Sequence, residues 1–223
     1  MEAMQNSARR VLVVGGSPEP AAPETLRRAA QGCDAVVAVD RGFDAVLAAG
    51  LSCNLFCGDA DSVSAAGRHM VERADFEVQR YNPHKDYTDL DLALKAIRER
   101  WGIVDIVATC LNGGSPDHFF AAYGRLLSWT GPVEIIEDRC TGRLVRAGES
   151  WNVGEFQGSR FSFVPFSADA QVSIHHMRWE LDHRDCEFLS DVGISNELDY
   201  PDGRIDCHRG VIGAWVVFRF FNI

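Results

Sequence analysis

The sequence predicts an α/β domain followed by an all-β domain. The first is a Rossmann-like, mostly parallel sheet flanked by helices over residues 1–140, and the second a β-sandwich over residues 141–223. Three observations carry this reading. Short β-branched runs alternate with helical patterns through the first part, as right-handed crossovers between parallel strands require. The helical pattern then stops near Thr141. From there, short apolar runs are punctuated by turn residues, the signature of an all-β unit.

Each element has a local cause. Residues 11–14, 36–39, 55–57, 104–111 and 134–137 read as strands, and most end in Gly, Asp or Ser. Residues 23–31, 43–49 and 88–100 read as helices. In the last of these Leu90, Ala93, Leu94 and Ile97 recur at helical spacing, Thr88 can cap the amino end, and Gly102 follows the final turn. In the second part, residues 144–146, 151–153, 160–165, 172–174, 179–181 and 211–221 read as short strands. Pro201-Asp202-Gly203 is a turn, because Pro presets one dihedral and Gly accepts positive φ.

Composition bounds the setting. The 223 residues are 46% hydrophobic, enough for one large core or two modest ones. A formal net charge of −10 argues against a nucleic-acid partner, which calls for a basic stripe. The 7 cysteines are odd in number and scattered, a pattern that suits a reducing cytoplasm better than a disulfide framework. Residues 1–10 carry no apolar signal core, and no apolar run is long enough to span a bilayer. The expectation is a cytoplasmic protein that contacts neither membrane nor nucleic acid.

Two acidic clusters carry the chemistry: Gly58-Asp59-Ala60-Asp61-Ser62 and Lys85-Asp86-Tyr87-Thr88-Asp89. Both fall where a strand gives way to a loop or helix, the side of an α/β sheet on which ligands collect. Carboxylates held together need a cation to neutralise them. Mg²⁺ takes a few carboxylates and keeps other positions for water and phosphate. The pattern therefore suggests metal-dependent phosphoryl or pyrophosphoryl transfer. Asp59 and Asp61 would share one face of an extended segment. Gly113-Gly114 ends a strand and would let backbone approach a phosphate.

Other constellations are set aside. Cys53 and Cys57 lack a second pair at zinc spacing. His175 and His176, adjacent on a strand, would face opposite ways. Gly15-Gly16-Ser17 lacks the Gly-Lys-Ser/Thr ending of a P-loop. Each acidic or glycine motif alone also fits a turn or helix cap.

Together and in order, the motifs resemble thiamine pyrophosphokinase. The chain carries Asp40-Arg41-Gly42, the two acidic clusters, Gly113-Gly114-Ser115-Pro116-Asp117-His118 and Gly193-Ile194-Ser195-Asn196-Glu197. It departs from the family at Ala60, where an aromatic is usual, and at Ser115, where an arginine is usual. Arg41, Lys85 and Arg125 are nearby cations that could compensate.

The resemblance implies Mg²⁺-dependent transfer of pyrophosphate from ATP to thiamine, giving thiamine diphosphate and AMP. It implies catalytic roles for Asp59, Asp61, Asp86 and Asp89, with Asp59, Asp61 and Asp89 as metal ligands. Nucleotide contacts fall to Asp40, Arg41, Gly42, Lys85, Gly113, Gly114, Asp117 and His118. Thiamine contacts fall to Ser195 and Asn196; apart from the resemblance, the indole of Trp215 suits stacking on a flat heteroaromatic ring, and a sandwich core equally well. A homodimer with sites shared between subunits is implied. The competing readings are a related pyrophosphotransferase acting on another alcohol and a non-catalytic nucleotide- or thiamine-binding regulator.

Overall fold

The computed structural model describes residues 9–80 and 87–219. Its contacts divide the chain into two units, Met1–Asp138 and Arg139–Ile223.

Among its described residues the first unit holds six strands: β1 (Arg10–Val14), β2 (Ala35–Val39), β3 (Leu55–Gly58), β4 (Glu77–Arg80), β5 (Asp105–Thr109) and β6 (Val133–Ile136). They pair in parallel in the order β6-β5-β1-β2-β3-β4. Five helices connect or flank them: α1 (Pro23–Ala29), α2 (Gly42–Ala48), α3 (Ala65–Glu72), α4 (Asp89–Trp101) and α5 (Pro116–Leu127). A parallel sheet covered on both faces needs continuously apolar strands. Val11, Leu12, Val13 and Val14 are accordingly all fully buried. Leu12, Leu26, Phe43, Val46 and Phe56 belong to one core cluster, with Phe43 edge-on to Phe56 at 5.8 Å. Each such side chain contributes about 1.5–3 kcal/mol through burial.

The α4 helix forms as its sequence predicts. Thr88 Oγ1 accepts the Asp91 N–H at 3.3 Å, and Gly102 ends the helix at φ 77°. The apolar stripe Leu90, Ala93, Leu94 and Ile97 is buried. Strand β4 has no apolar signature in the sequence because it pairs only with β3 at the edge of the sheet, and its residues are half-buried or exposed.

The second unit holds β7 (Cys140–Arg146), β8 (Ser150–Asn152), β9 (Arg160–Pro165), β10 (Gln171–His175), β11 (Leu181–Asp185), β12 (Asn196–Glu197), β13 (Arg204–Arg209) and β14 (Val211–Val217). They form two antiparallel arrays, β12-β9-β14-β7 and β11-β10-β13-β8. Phe161, Phe163, Ile212, Ala214 and Val216 from one array join Trp151, Val172, Ile174, Ile205 and Cys207 from the other in a single buried cluster. That interdigitation is a β-sandwich core.

Two sequence expectations change here. The strand expected at 179–181 begins only at Leu181, and Trp179 lies before it in a bend, 55% exposed. Strand β13 went unread because only Ile205 and Cys207 face the core, between Arg204, Asp206, His208 and Arg209. Two apolar residues give too short an alternation to stand out.

Candidate active site

Strands β1 to β4 run to one side of the first unit's sheet, while β5 and β6 lie on the other side of β1. The order therefore reverses between β1 and β5, and ligands of open α/β sheets bind beyond the carboxyl ends of the strands at such a point. A cleft of about 690 Å³ opens there. Gly15, Gly16 and Ser17 line it after β1, Asp40 and Arg41 after β2, and Asp61 and Ser62 after β3. Thr88 and Asp89 line it at the start of α4, and Gly113, Gly114, Asp117 and His118 after β5.

The loops are held by close contacts. Gly42 opens α2 so near the end of β1 that a Cβ would overlap the Val14 carbonyl oxygen. Gly42 thus packs behind the cleft rather than lining it. The Ser17 hydroxyl donates to the Asn112 carbonyl and accepts the Glu19 N–H at 3.0 Å, tying the turn after β1 to the turn after β5. Ser17 N–H adds a bond to the Cys110 carbonyl at 3.2 Å.

Acidic side chains gather in two pairs. Asp40 meets Asp89, and Asp59 meets Asp61. The turn is not the extended segment that the spacing suggested. Ala60 adopts φ 65°, and Asp59 Oδ1 accepts the Asp61 N–H at 3.0 Å. Burial, together with the neighbouring Asp89 and the charge of Asp59, pushes Asp40 up to about 7. Asp59 pushes the exposed Asp61 above the ordinary carboxylate range. Asp40 Oδ1 is buried and takes no hydrogen bond. Among the described residues no three His, Cys, Asp or Glu side chains stand in ligating positions about one point. The donor chemistry nonetheless fits a hard divalent cation: oxygen ligands only, mutual repulsion to relieve, and an orphaned carboxylate oxygen.

The cations sort clearly. Arg41 lines the cleft, exposed, with Nε 3.4 Å from the Ser62 carbonyl. Arg125 is committed to Asp91 at 3.1 Å. Lys85 and Asp86 lie outside the described residues.

In the second unit Ser195, at φ 65°, donates its N–H to Ser162 Oγ at 3.0 Å. Asn196 is 5% exposed. Its amide nitrogen donates to the Trp179 carbonyl at 2.6 Å, and its oxygen accepts the Trp179 N–H at 3.1 Å. Asn196 thereby fastens the bend at 176–180, part of which lines a groove of about 650 Å³ with Tyr200 and Asp202. Trp215 stands outside the sandwich core cluster. Its strand neighbours Ala214 and Val216 point into that core, so alternation turns Trp215 to the other face of β14. There it lies half-buried, edge-on to Phe166 at 6.1 Å.

Two family models match the chain in the order of its two units. The thiamin pyrophosphokinase catalytic domain covers residues 26–135, and the thiamin pyrophosphokinase vitamin B1 binding domain covers residues 152–212. The chain belongs to the thiamin pyrophosphokinase family. Its class of activity is the family's, pyrophosphate transfer to thiamine.

Relatives agree with this placement. A thiamine pyrophosphokinase of Bacillus subtilis is 28% identical over 182 residues, covering 79% of this chain and 84% of the relative. The crystal structure of thiamine pyrophosphokinase from Bacillus subtilis superposes with a TM-score of 0.80 at 24% identity, over 95% of this chain and all of that one. That of thiamin pyrophosphokinase from Geobacillus thermodenitrificans gives 0.79 at 25% identity, over 96% of this chain and all of that one.

Against the thiamin pyrophosphokinase pattern, the two departures have visible surroundings. Ala60 is 3% exposed and joins the α/β core cluster. Ser115 precedes Pro116 at the start of α5, and its side chain hydrogen-bonds Asp117, holding that carboxylate below its usual range. Gly15, Gly16 and Ser17 were set aside in the sequence for lacking a P-loop ending, yet they line the cleft. Their signal was position: a Gly-Gly-Ser turn directly after the first strand. Glu137, 5% exposed behind the turn after β5, also went unread as anything but a strand end.

Proposed function

We propose that the chain transfers the β,γ-pyrophosphate of ATP to the hydroxyethyl oxygen of thiamine, with Mg²⁺, giving thiamine diphosphate and AMP. The observation that carries this is the meeting of Asp40, Asp61 and Asp89 with Gly15, Gly113 and Gly114 in one cleft at the sheet's switch point. The thiamine oxygen attacks the β-phosphorus, the bond from that phosphorus to the α,β-bridging oxygen breaks, and the alcohol proton leaves.

Bound Mg²⁺ would neutralise phosphate charge and hold the phosphates for in-line displacement. Asp59, Asp61 and Asp89 would hold it, with Asp40 beside them. The Gly113 and Gly114 backbone approaches the phosphates, and Arg41, Asp117 and His118 orient the nucleotide, with Lys85 assigned to the same task. Asp86 is the proposed proton acceptor. Ser195, Asn196 and Trp215 are assigned to thiamine in the second unit. The proposal includes a homodimer with shared sites and a cytoplasmic setting, the latter supported by seven free cysteines. No helix among the described residues is long and apolar enough to cross a membrane.

The test is to incubate the protein with ATP, Mg²⁺ and thiamine and resolve products by mass. Thiamine diphosphate with one AMP per product supports the reaction. Thiamine monophosphate with ADP would keep the site but replace the reaction, and no thiamine product from a protein that still binds ATP would point to another acceptor or to a non-catalytic regulator.

A further inference from the structure

We propose that Glu137 is a positioning residue for the nucleotide site, fixing the turn after β5 so that the backbone of Gly113 and Gly114 faces the cleft. The proposal rests on the reading of that cleft as the ATP site. Glu137 follows β6 directly and is 5% exposed. A buried carboxylate is costly unless hydrogen bonds satisfy it. Its Oε1 accepts the Leu111 N–H at 2.8 Å. Burial pushes its pKa up, while the N–H groups of Leu111, Cys110 and Asn112 act the other way. A backbone donor of the turn after β5, the Leu111 N–H, thus closes on the side chain that follows the adjacent strand.

Cys110, Leu111 and Asn112 are the link between the end of β5 and the glycine pair. The link is not one the chain adopts unaided: Cys110 holds φ 56°, a strained conformation for a residue with a side chain. Glu137 offsets that cost by holding the N–H of Leu111, the residue directly after the strained one. It also occupies that donor. An anion in the cleft is therefore left with the N–H groups further along, at Gly113 and Gly114, both of which line the cleft at positive φ. Glu137 itself is absent from the lining and acts only through the turn.

Glu137→Gln keeps the shape, removes the charge and sets an amide N–H₂ against backbone donors. In hydrogen exchange on the free protein, the Leu111 amide should exchange about tenfold faster or more, with β1 amides unchanged. The Kd for α,β-methylene-ATP with Mg²⁺ should rise about tenfold, as when an outer support of a binding group is lost, while the KM for thiamine stays put. Glu137→Asp keeps the charge but withdraws it, and should fall between wild type and the Gln variant. Unchanged exchange, or faster exchange with unchanged nucleotide Kd, would overturn the proposal, as would equal losses for both substrates. Should the Gln variant not fold, Glu137→Asp decides alone, and a wild-type nucleotide Kd there would overturn it. Wild-type protein that binds no α,β-methylene-ATP would refute the ATP reading itself, and this inference with it.

Discussion

Asp59 Oδ1 accepts the backbone N–H of Asp61 at 3.0 Å, closing a tight turn at the end of β3. The bond spends one carboxylate oxygen on its own backbone. It leaves Asp61 exposed on the lining of the cleft, with Ala60 folded beneath into the core. The acidic pair is thus prepared by local structure before any cation arrives.

Asp61→Asn should therefore leave the fold intact and reduce turnover by about 10²-fold or more, the usual cost of removing one preorganised electrostatic group. Circular dichroism and the product assay check both halves. Normal turnover in a folded variant would end the metal-ligand assignment. Mg²⁺ should raise the Tm of the wild type and do so less in the variant.

Gly58→Ala tests the support behind Asp40. Gly58 sits at φ 151°, and a Cβ there would overlap Asp40 Oδ1. The variant should lose about 1–3 kcal/mol in denaturant unfolding from backbone strain alone. It should also lose Mg²⁺-linked stabilisation, because Asp40 must move. A variant as stable as wild type would contradict the geometry.

Arg41 and Arg125 should separate cleanly. Arg125 pairs with Asp91 near the surface, so Arg125→Ala should cost below about 1 kcal/mol and leave kinetics unchanged. Arg41→Ala should raise the KM for ATP severalfold with little loss of stability, since Arg41 lines the cleft. Steady-state kinetics on both variants decide which cation serves the phosphates.

Asn196→Ala should strip both bonds from the Trp179 backbone and cost about 1–3 kcal/mol. The KM for thiamine should rise more than that for ATP. Equal effects on both substrates would argue that Asn196 serves only the fold.

The sandwich should carry a pH signature at Asp206. Burial alone would raise its pKa, but Ser150 and Arg204 override it, and His175 at 3.1 Å adds to them, leaving it below its ordinary value. A depressed folded pKa contributes stability above the unfolded value, near 3.8, that is lost as pH falls through the folded one. Wild-type stability should thus fall more steeply than that of Asp206→Asn on acidification below about pH 4. Urea melts across that range measure the difference, and parallel curves would sink the assignment.

Periodicity and motif order alone determined that a parallel α/β unit precedes a sandwich. They also gave the caps of α4 and the family to which the chain belongs. These are local properties: apolar spacing, a capping Thr88, a closing Gly102, short signatures in sequence order. Tertiary structure decided what distant residues do to one another. Asp40 meets Asp89 across 49 positions of sequence only because β2 and the start of α4 end on one side of the sheet. Trp215 turns from the core because β14 pairs in one register, and Glu137 reaches the turn after β5 because β6 lies beside it. No local pattern encodes such pairings, because the free energy that selects them is released only when the strands close into sheets.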